Sequence, residues 1–175
     1  MIRNYTISQV SAYDAQLLKG LAALTVDVVA GNASIGFMDD LNLEKASLFW
    51  ADVFERVLAE KVVLLIATDD ASGQVIGTVQ LHVAQPDNQP HRADVAKMQV
   101  HSQARRLGIG EKLLLAVEKE AQKRGKHILV LDTVSGSPAS FLYQKLGWIK
   151  VGDIPEYALF PNGAYCSTTY FYKKL

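Results

Sequence analysis

The chain is 175 residues long, 49% apolar and 21% charged, with 18 basic and 18 acidic side chains that leave no formal net charge. That size suits one domain with its own core, residues 1–175, and the charge balance excludes a basic field that would gather nucleic acid. The single cysteine, Cys166, excludes an internal disulfide, no apolar run reaches membrane-spanning length, and Met1-Ile2-Arg3-Asn4-Tyr5 lacks the basic-then-apolar plan of a signal peptide; a reducing cytoplasm is the expected setting.

Arg3 to Val10 is predicted as a first strand. Ser11 to Ala30 carries Leu17, Leu18, Leu21, Leu24 and Val28 at helical spacing, with Gly31 as a stop. Leu43 to Glu60 repeats the pattern with Leu48, Phe49, Val53, Val57 and Leu58. The loop between them, Asn32 to Asn42, holds Phe37, Met38, Asp39 and Asp40. Val62 to Thr68 is a continuous β-branched and apolar run, read as a buried strand, and Asp69 to Gly73 turns it back into Gln74 to Ala84 as a hairpin partner. Ala84 to Arg92 is too short for a domain linker and joins strands. Asp94 to Val100 is a further strand; Glu111 to Arg124 is an amphipathic helix closed by Gly125. His127 to Val134 is the most strongly strand-like segment. Ser137-Pro138 gives a capping serine and a first-turn proline for a helix that runs to Leu146 and stops at Gly147. Trp148 to Val151 and Thr168 to Lys173 end the chain as strands. The order β-α-α-β-β-β-α-β-α-β-β predicts an α/β fold with a mixed sheet flanked by helices, not a regularly alternating doubly wound one.

The most informative stretch is Ala104-Arg105-Arg106-Leu107-Gly108-Ile109-Gly110, between a strand and a helix. Two glycines let a ligand approach the backbone, the first helical turn leaves N–H groups unpaired, and the helix dipole and two arginines add positive charge. This is a seat for a diphosphate. A dinucleotide fold is one reading: Gly108-Ile109-Gly110 supplies two of its three glycines, and Asp132 lies at the spacing of a ribose-binding acid. Leu113 stands where the third glycine belongs, and seven residues separate Val100 from Gly108, too many for the tight turn. An ordinary structural loop is the other reading of so short a glycine pattern.

Arg105-x-x-Gly108-x-Gly110 resembles the R/Q-x-x-G-x-G/A signature of the GNAT superfamily of acetyl-CoA-dependent N-acetyltransferases, and Phe141-Leu142-Tyr143-Gln144-Lys145-Leu146-Gly147-Trp148 resembles that family's L-Y-x-K-L-G-F helix end. The element order agrees. The chain resembles one toxin-resistance member more closely still, over Gly31 to Leu43, Arg92 to Gly110, Leu131-Asp132-Thr133, Gly136 to Tyr143 and Val151 to Pro155. It implies two splayed parallel central strands, with acetyl-CoA as cosubstrate held between them. The amides of Arg106, Leu107, Gly108, Ile109, Gly110 and Glu111 would take the diphosphate, helped by Arg105 or Arg106. The edge of Met98, Gln99 and Val100 would receive the pantetheine arm, and Ser137 would join the cofactor contacts. Ser102 replaces a proline common in the family, and Asp94 replaces a glutamate of the closer relative.

The same resemblance assigns Tyr143 as proton donor to the departing thiolate and Asp132 and Asp94 to base and substrate work. Asp94 opens one strand and Asp132 lies toward the end of the other, so their carboxylates need not be neighbours. Phe37, Asp39, Asp94 and Asp132 are the expected substrate-binding set. His82, His91, His101 and His127 have no metal spacing, and no partner histidine flanks Cys166, so no metal and a direct transfer are expected. The implied acceptor is a small amine of amino-acid-like character, a toxin, antibiotic or metabolite; acetylation of a protein N-terminus or lysine, and a non-catalytic acetyl-CoA-binding module, are the alternatives. Nucleic acid and membrane are not expected as partners, and the chain is expected to be a monomer or homodimer.

Overall fold

In the computed structural model, which describes residues 4–175, seven strands form one sheet in the order β1-β2-β3-β4-β5-β7-β6. The elements run β1 (Tyr5–Val10), α1 (Ala15–Ala30), α2 (Leu43–Leu58), β2 (Val62–Asp69), β3 (Val75–His82), β4 (Arg92–Val100), a 3₁₀ turn (Ser102–Ala104), α3 (Ile109–Lys123), β5 (Ile128–Val134), α4 (Pro138–Lys145), β6 (Ile149–Leu159) and β7 (Tyr165–Lys174). This is the mixed sheet expected from the element order. Only β4 and β5 pair in parallel, joined through α3; every other neighbouring pair is antiparallel. A doubly wound dinucleotide sheet is therefore ruled out.

Local chemistry sets the boundaries. The predicted first strand's Arg3 lies outside the described residues. The first helix starts later than Ser11 because the Asp14 carboxylate accepts the N–H groups of Gln16 and Leu17 at 2.8 and 2.9 Å, which fixes Ala15 as the first helical residue. Asn42 caps α2 through Lys45 N–H in the same way, and Ser137 caps α4 through Ser140 N–H. The last hairpin is longer than Trp148–Val151 and Thr168–Lys173. Strand β6 spans 11 residues, nearly all exposed, and two register shifts and a left-handed Glu156 (φ 51°) break its alternation.

Each face of the sheet buries its own core. Leu113, Leu114 and Val117 of α3 and Tyr143 of α4 pack on Val95, Leu129, Leu131 and Phe171. On the other face, Leu21 and Leu24 of α1 and Trp50 and Phe54 of α2 pack on Leu64 and Ile66. A polar knot inside the second core ties it to β4. Trp50 Nε1 donates to Thr25 Oγ1 at 2.8 Å, Thr25 Oγ1 donates to the Leu21 carbonyl at 2.9 Å, and Gln99 Oε1 lies 3.1 Å from the same hydroxyl. Replacing Thr25 with valine strands the buried Trp50 N–H and should cost about 1–3 kcal/mol of stability, read as a lowered denaturation midpoint at unchanged slope. A loss within 0.5 kcal/mol would show that the knot is dispensable.

Candidate active site

Three of the four helices carry a side-chain N-cap; α3 does not. Its N-cap is Gly108 in the left-handed region at φ 77°, where an L side chain is strained. Among the described residues, the N–H groups of Gly108, Ile109, Gly110 and Glu111 find no acceptor, and Lys112 N–H is the first to reach a carbonyl, that of Gly108. Four donors at the positive end of a 15-residue helix are left without a protein acceptor among the described residues. Arg105 and Arg106 flank them, both exposed and neither in an ion pair among the described residues. Arg105 reaches back toward the end of α1, its Nη2 lying 3.4 Å from where a Cβ on Gly31 would stand. A Cβ on Gly110 would meet Leu142 Cδ2 at 3.3 Å and Met98 Cε and Val100 Cγ2 at 3.9 Å, so the start of α3, the end of β4 and α4 converge there.

β4 and β5 pair over only three positions, Arg92–Asp94 against Ile128–Val130. Beyond Asp94 they part, leaving the β4 edge from Val95 to Val100 without a strand partner on that side. The notch opens toward the α3 turn, so an unpaired strand edge and an uncapped helix end lie in line. The residues here fit a diphosphate-bearing cosubstrate with an amide-rich arm.

Tyr143 stands at the notch from α4, 5% exposed, its ring against Trp148 and Phe171 at centroid distances of 5.8 and 5.9 Å. Among the described residues its hydroxyl has only the Met98 sulfur, at 4.0 Å, as partner. Burial, with the Asp132 charge adding to it, pushes the phenol above its ordinary range, so it stays neutral and able to donate. Ser137 uses its hydroxyl to cap α4 and approaches Thr133 Oγ1 at 3.5 Å.

The two acids differ in what holds them. Asp94 sits at the last paired position of the notch, and both oxygens are taken, one by the Arg92 guanidinium and the other by Gln85 Nε2 at 3.0 Å. Asp132 lies two positions further along β5, about 7 Å of strand. It is exposed, and Thr168 Oγ1 donates to its Oδ2 at 2.8 Å; its Oδ1 has no partner among the described residues. The two acids share one face and one neighbourhood: both charges act on Tyr170, the cross-strand partner of Asp132. Tyr170 is pushed up to about 12, first by its 2.9 Å hydrogen bond with Tyr157.

Phe37 packs edge-on against Phe49 at 5.2 Å. Asp39 lies further off, in a hollow of about 220 Å³ with Val26, Val29, Leu41 and Pro161. Asp40 is bound to Lys45 of its own segment. The 32–42 loop docks on the β6–β7 hairpin: Ser34 Oγ donates to the Leu159 carbonyl at 2.7 Å, and Asp39 N–H to the Pro161 carbonyl at 3.2 Å. Cys166 is buried, with its thiol on Ser34 Oγ at 3.5 Å.

Sequence reasoning missed Lys97 and Gln80. Lys97 sits at a bulge in β4 with φ 51°, and its Nζ donates to the Ile35 carbonyl at 2.5 Å between the Phe37 and Phe49 rings. Burial lowers its ammonium below the ordinary lysine range, and the Asp132 charge opposes that. Gln80, 1% exposed, is the register partner of Ala96 beside it. A lysine one residue out of alternation in Val95-Ala96-Lys97-Met98 was the available signal.

Comparison with known proteins agrees with this geometry. Residues 32–148 match the model described as Acetyltransferase (GNAT) family. Ribosomal-protein-alanine N-acetyltransferase from Brucella melitensis is 25% identical, with a TM-score of 0.76 over 97% of this chain and 99% of that one. The structure of yncA from Salmonella typhimurium with its cofactor acetyl-CoA is 21% identical, with a TM-score of 0.76 over 98% and 94%. A protein provisionally assigned as a phosphinothricin N-acetyltransferase is 17% identical, with a TM-score of 0.79 over 98% and 99%.

Proposed function

Since this chain belongs to the acetyltransferase (GNAT) family and is an acetyl-CoA-dependent N-acetyltransferase, we propose that it acetylates the amine of a small amino-acid-like molecule, a toxin, antibiotic or metabolite, with residues 1–175 acting as one catalytic domain. Acetyl-CoA supplies the activated acetyl group. The free N–H groups of Gly108, Ile109, Gly110 and Glu111 hold its diphosphate, with Arg106, Leu107 and the Arg105 guanidinium beside them. The β4 edge at Met98, Gln99 and Val100 takes the amide-bearing arm, and Ser137 borders it from α4. Asp132, with one oxygen unengaged, accepts the proton an ammonium must lose before it can attack, directly or through water. Asp94, neutralised by Arg92, orients rather than accepts. Tyr143 donates to the sulfur as the thiolate leaves. Phe37 walls the acceptor end and Asp39 lies at its outer rim. A buried Cys166 favours direct transfer over an acetyl-thiol carrier.

The observation that carries the small-acceptor reading is the bridge from Ser34 and Asp39 to Leu159 and Pro161. It joins the two loops that would otherwise flank an open groove for a peptide. The toxin-resistance member that the segments between Gly31 and Pro155 resemble is the bacterial tabtoxin resistance protein, and that likeness supports a detoxifying role. The Brucella neighbour, whose described acceptor is a ribosomal-protein alanine, favours a peptide acceptor instead.

A screen of small amines, free amino acids and alanine-ended peptides, followed by release of CoA thiol, separates the two. Turnover on small amines or amino acids at least tenfold above the best peptide is the expected result. Turnover confined to peptides replaces this reading with the second. Acetyl-CoA binding without turnover on any amine contradicts both.

A further inference from the structure

Lys97 is a half-buried cation that the protein does not neutralise. Buried charges are normally paired. Lys173, the other such lysine on the sheet, donates to both Glu118 oxygens at 2.8 Å and to the Leu146 carbonyl. Lys97 has one carbonyl, two aromatic rings 5.7 Å from its nitrogen, and no carboxylate within ion-pair reach among the described residues. An ammonium has three N–H donors, so two are left over. The backbone is bent to put it there: β4 carries its bulge at this point, and a lysine at φ 51° is held against its preference.

A second donor without an acceptor lies alongside. Gln80 is buried, its Oε1 accepts from His82 Nε2 at 2.9 Å, and its Nε2 has no partner among the described residues. His82 is itself kept neutral by burial and by Arg56. On this face the acids are Asp94, already bound by Arg92, and Asp132, whose charge acts on Lys97. The face therefore offers unused N–H donors at Lys97 and Gln80 and an unused carboxylate oxygen at Asp132.

Resting on the small-acceptor reading, we propose that Lys97, assisted by Gln80, selects the acceptor by binding a carboxylate that it carries, leaving its amine for Asp132. The substrate class is then a zwitterionic amino acid or close analogue with a free acid group, not a plain amine or an amide. An arriving carboxylate would supply the acceptor that both donors lack.

The test compares kcat/KM for a panel of amino acids, their primary amides and the matching decarboxylated amines, in the wild type and in Lys97→Met and Lys97→Arg. Wild type should favour the acid over its amide by about tenfold or more, mainly through KM. Lys97→Met should remove that preference while changing the amide by less than about threefold, and Lys97→Arg should keep it. If Lys97 only pins the 32–42 loop through Ile35, Lys97→Met lowers acid and amide by the same factor, and the proposal fails. Wild type using amides or plain amines as well as acids overturns it without any variant. Failure to acetylate any small amine sinks the small-acceptor reading itself, which is a different result.

Discussion

Replacing Tyr143 with phenylalanine should lower kcat by about 100-fold or more while leaving the Kd for acetyl-CoA within about threefold. The substitution removes one oxygen and keeps the ring that packs on Trp148 and Phe171. The hydroxyl contributes little to the folded state, since its one contact is a sulfur at 4.0 Å. A buried phenol with so weak a partner is poised for a substrate atom, and burial keeps it protonated across the working pH range. Single-turnover kinetics and calorimetry separate the two quantities. Equal losses in turnover and affinity would make Tyr143 a packing residue and remove it as the donor.

Replacing Gly108 with valine should raise the Kd for acetyl-CoA by about 100-fold, with a stability loss of about 1–3 kcal/mol from left-handed strain that leaves the variant folded. At φ 77° a β-branched residue is strongly disfavoured, so the turn must shift, and with it its own N–H and the three free N–H groups that follow. No core atom lies near: the closest neighbour to a Cβ there is the Tyr5 hydroxyl, at 3.9 Å. Unchanged affinity in a folded variant would show that the turn is not where the diphosphate rests. The two substitutions act on different quantities, so together they separate holding the cosubstrate from helping its sulfur leave.

The order of elements and the uncapped helix start were legible in the sequence because both rest on local chemistry. Capping residues, stop glycines and β-branched runs act over a few positions, and Ser137-Pro138 placed α4 to within a residue. The β6–β7 hairpin was under-read for the opposite reason. The residues of β6 are nearly all exposed and its pairing with β7 is twice out of register, so β6 lacks the alternation that marks a half-buried strand. Lys97 escaped for a related cause: its place out of alternation was visible, but the bulge that turns it inward is a mismatch between two strands and shows only in their register. The proximity of Asp94 and Asp132 depended on where the parallel pairing ends, at Val130, which only the register reveals.

All of the chemistry proposed here needs a diphosphate at the start of α3, and backbone amide NMR during a titration with CoA reports on that point most directly. The largest shifts should fall on the N–H resonances of Gly108, Ile109, Gly110 and Glu111, saturating with the same Kd as resonances along the β4 edge at Met98 to Val100. Shifts elsewhere in the molecule, with these four amides unmoved at saturation, would contradict it.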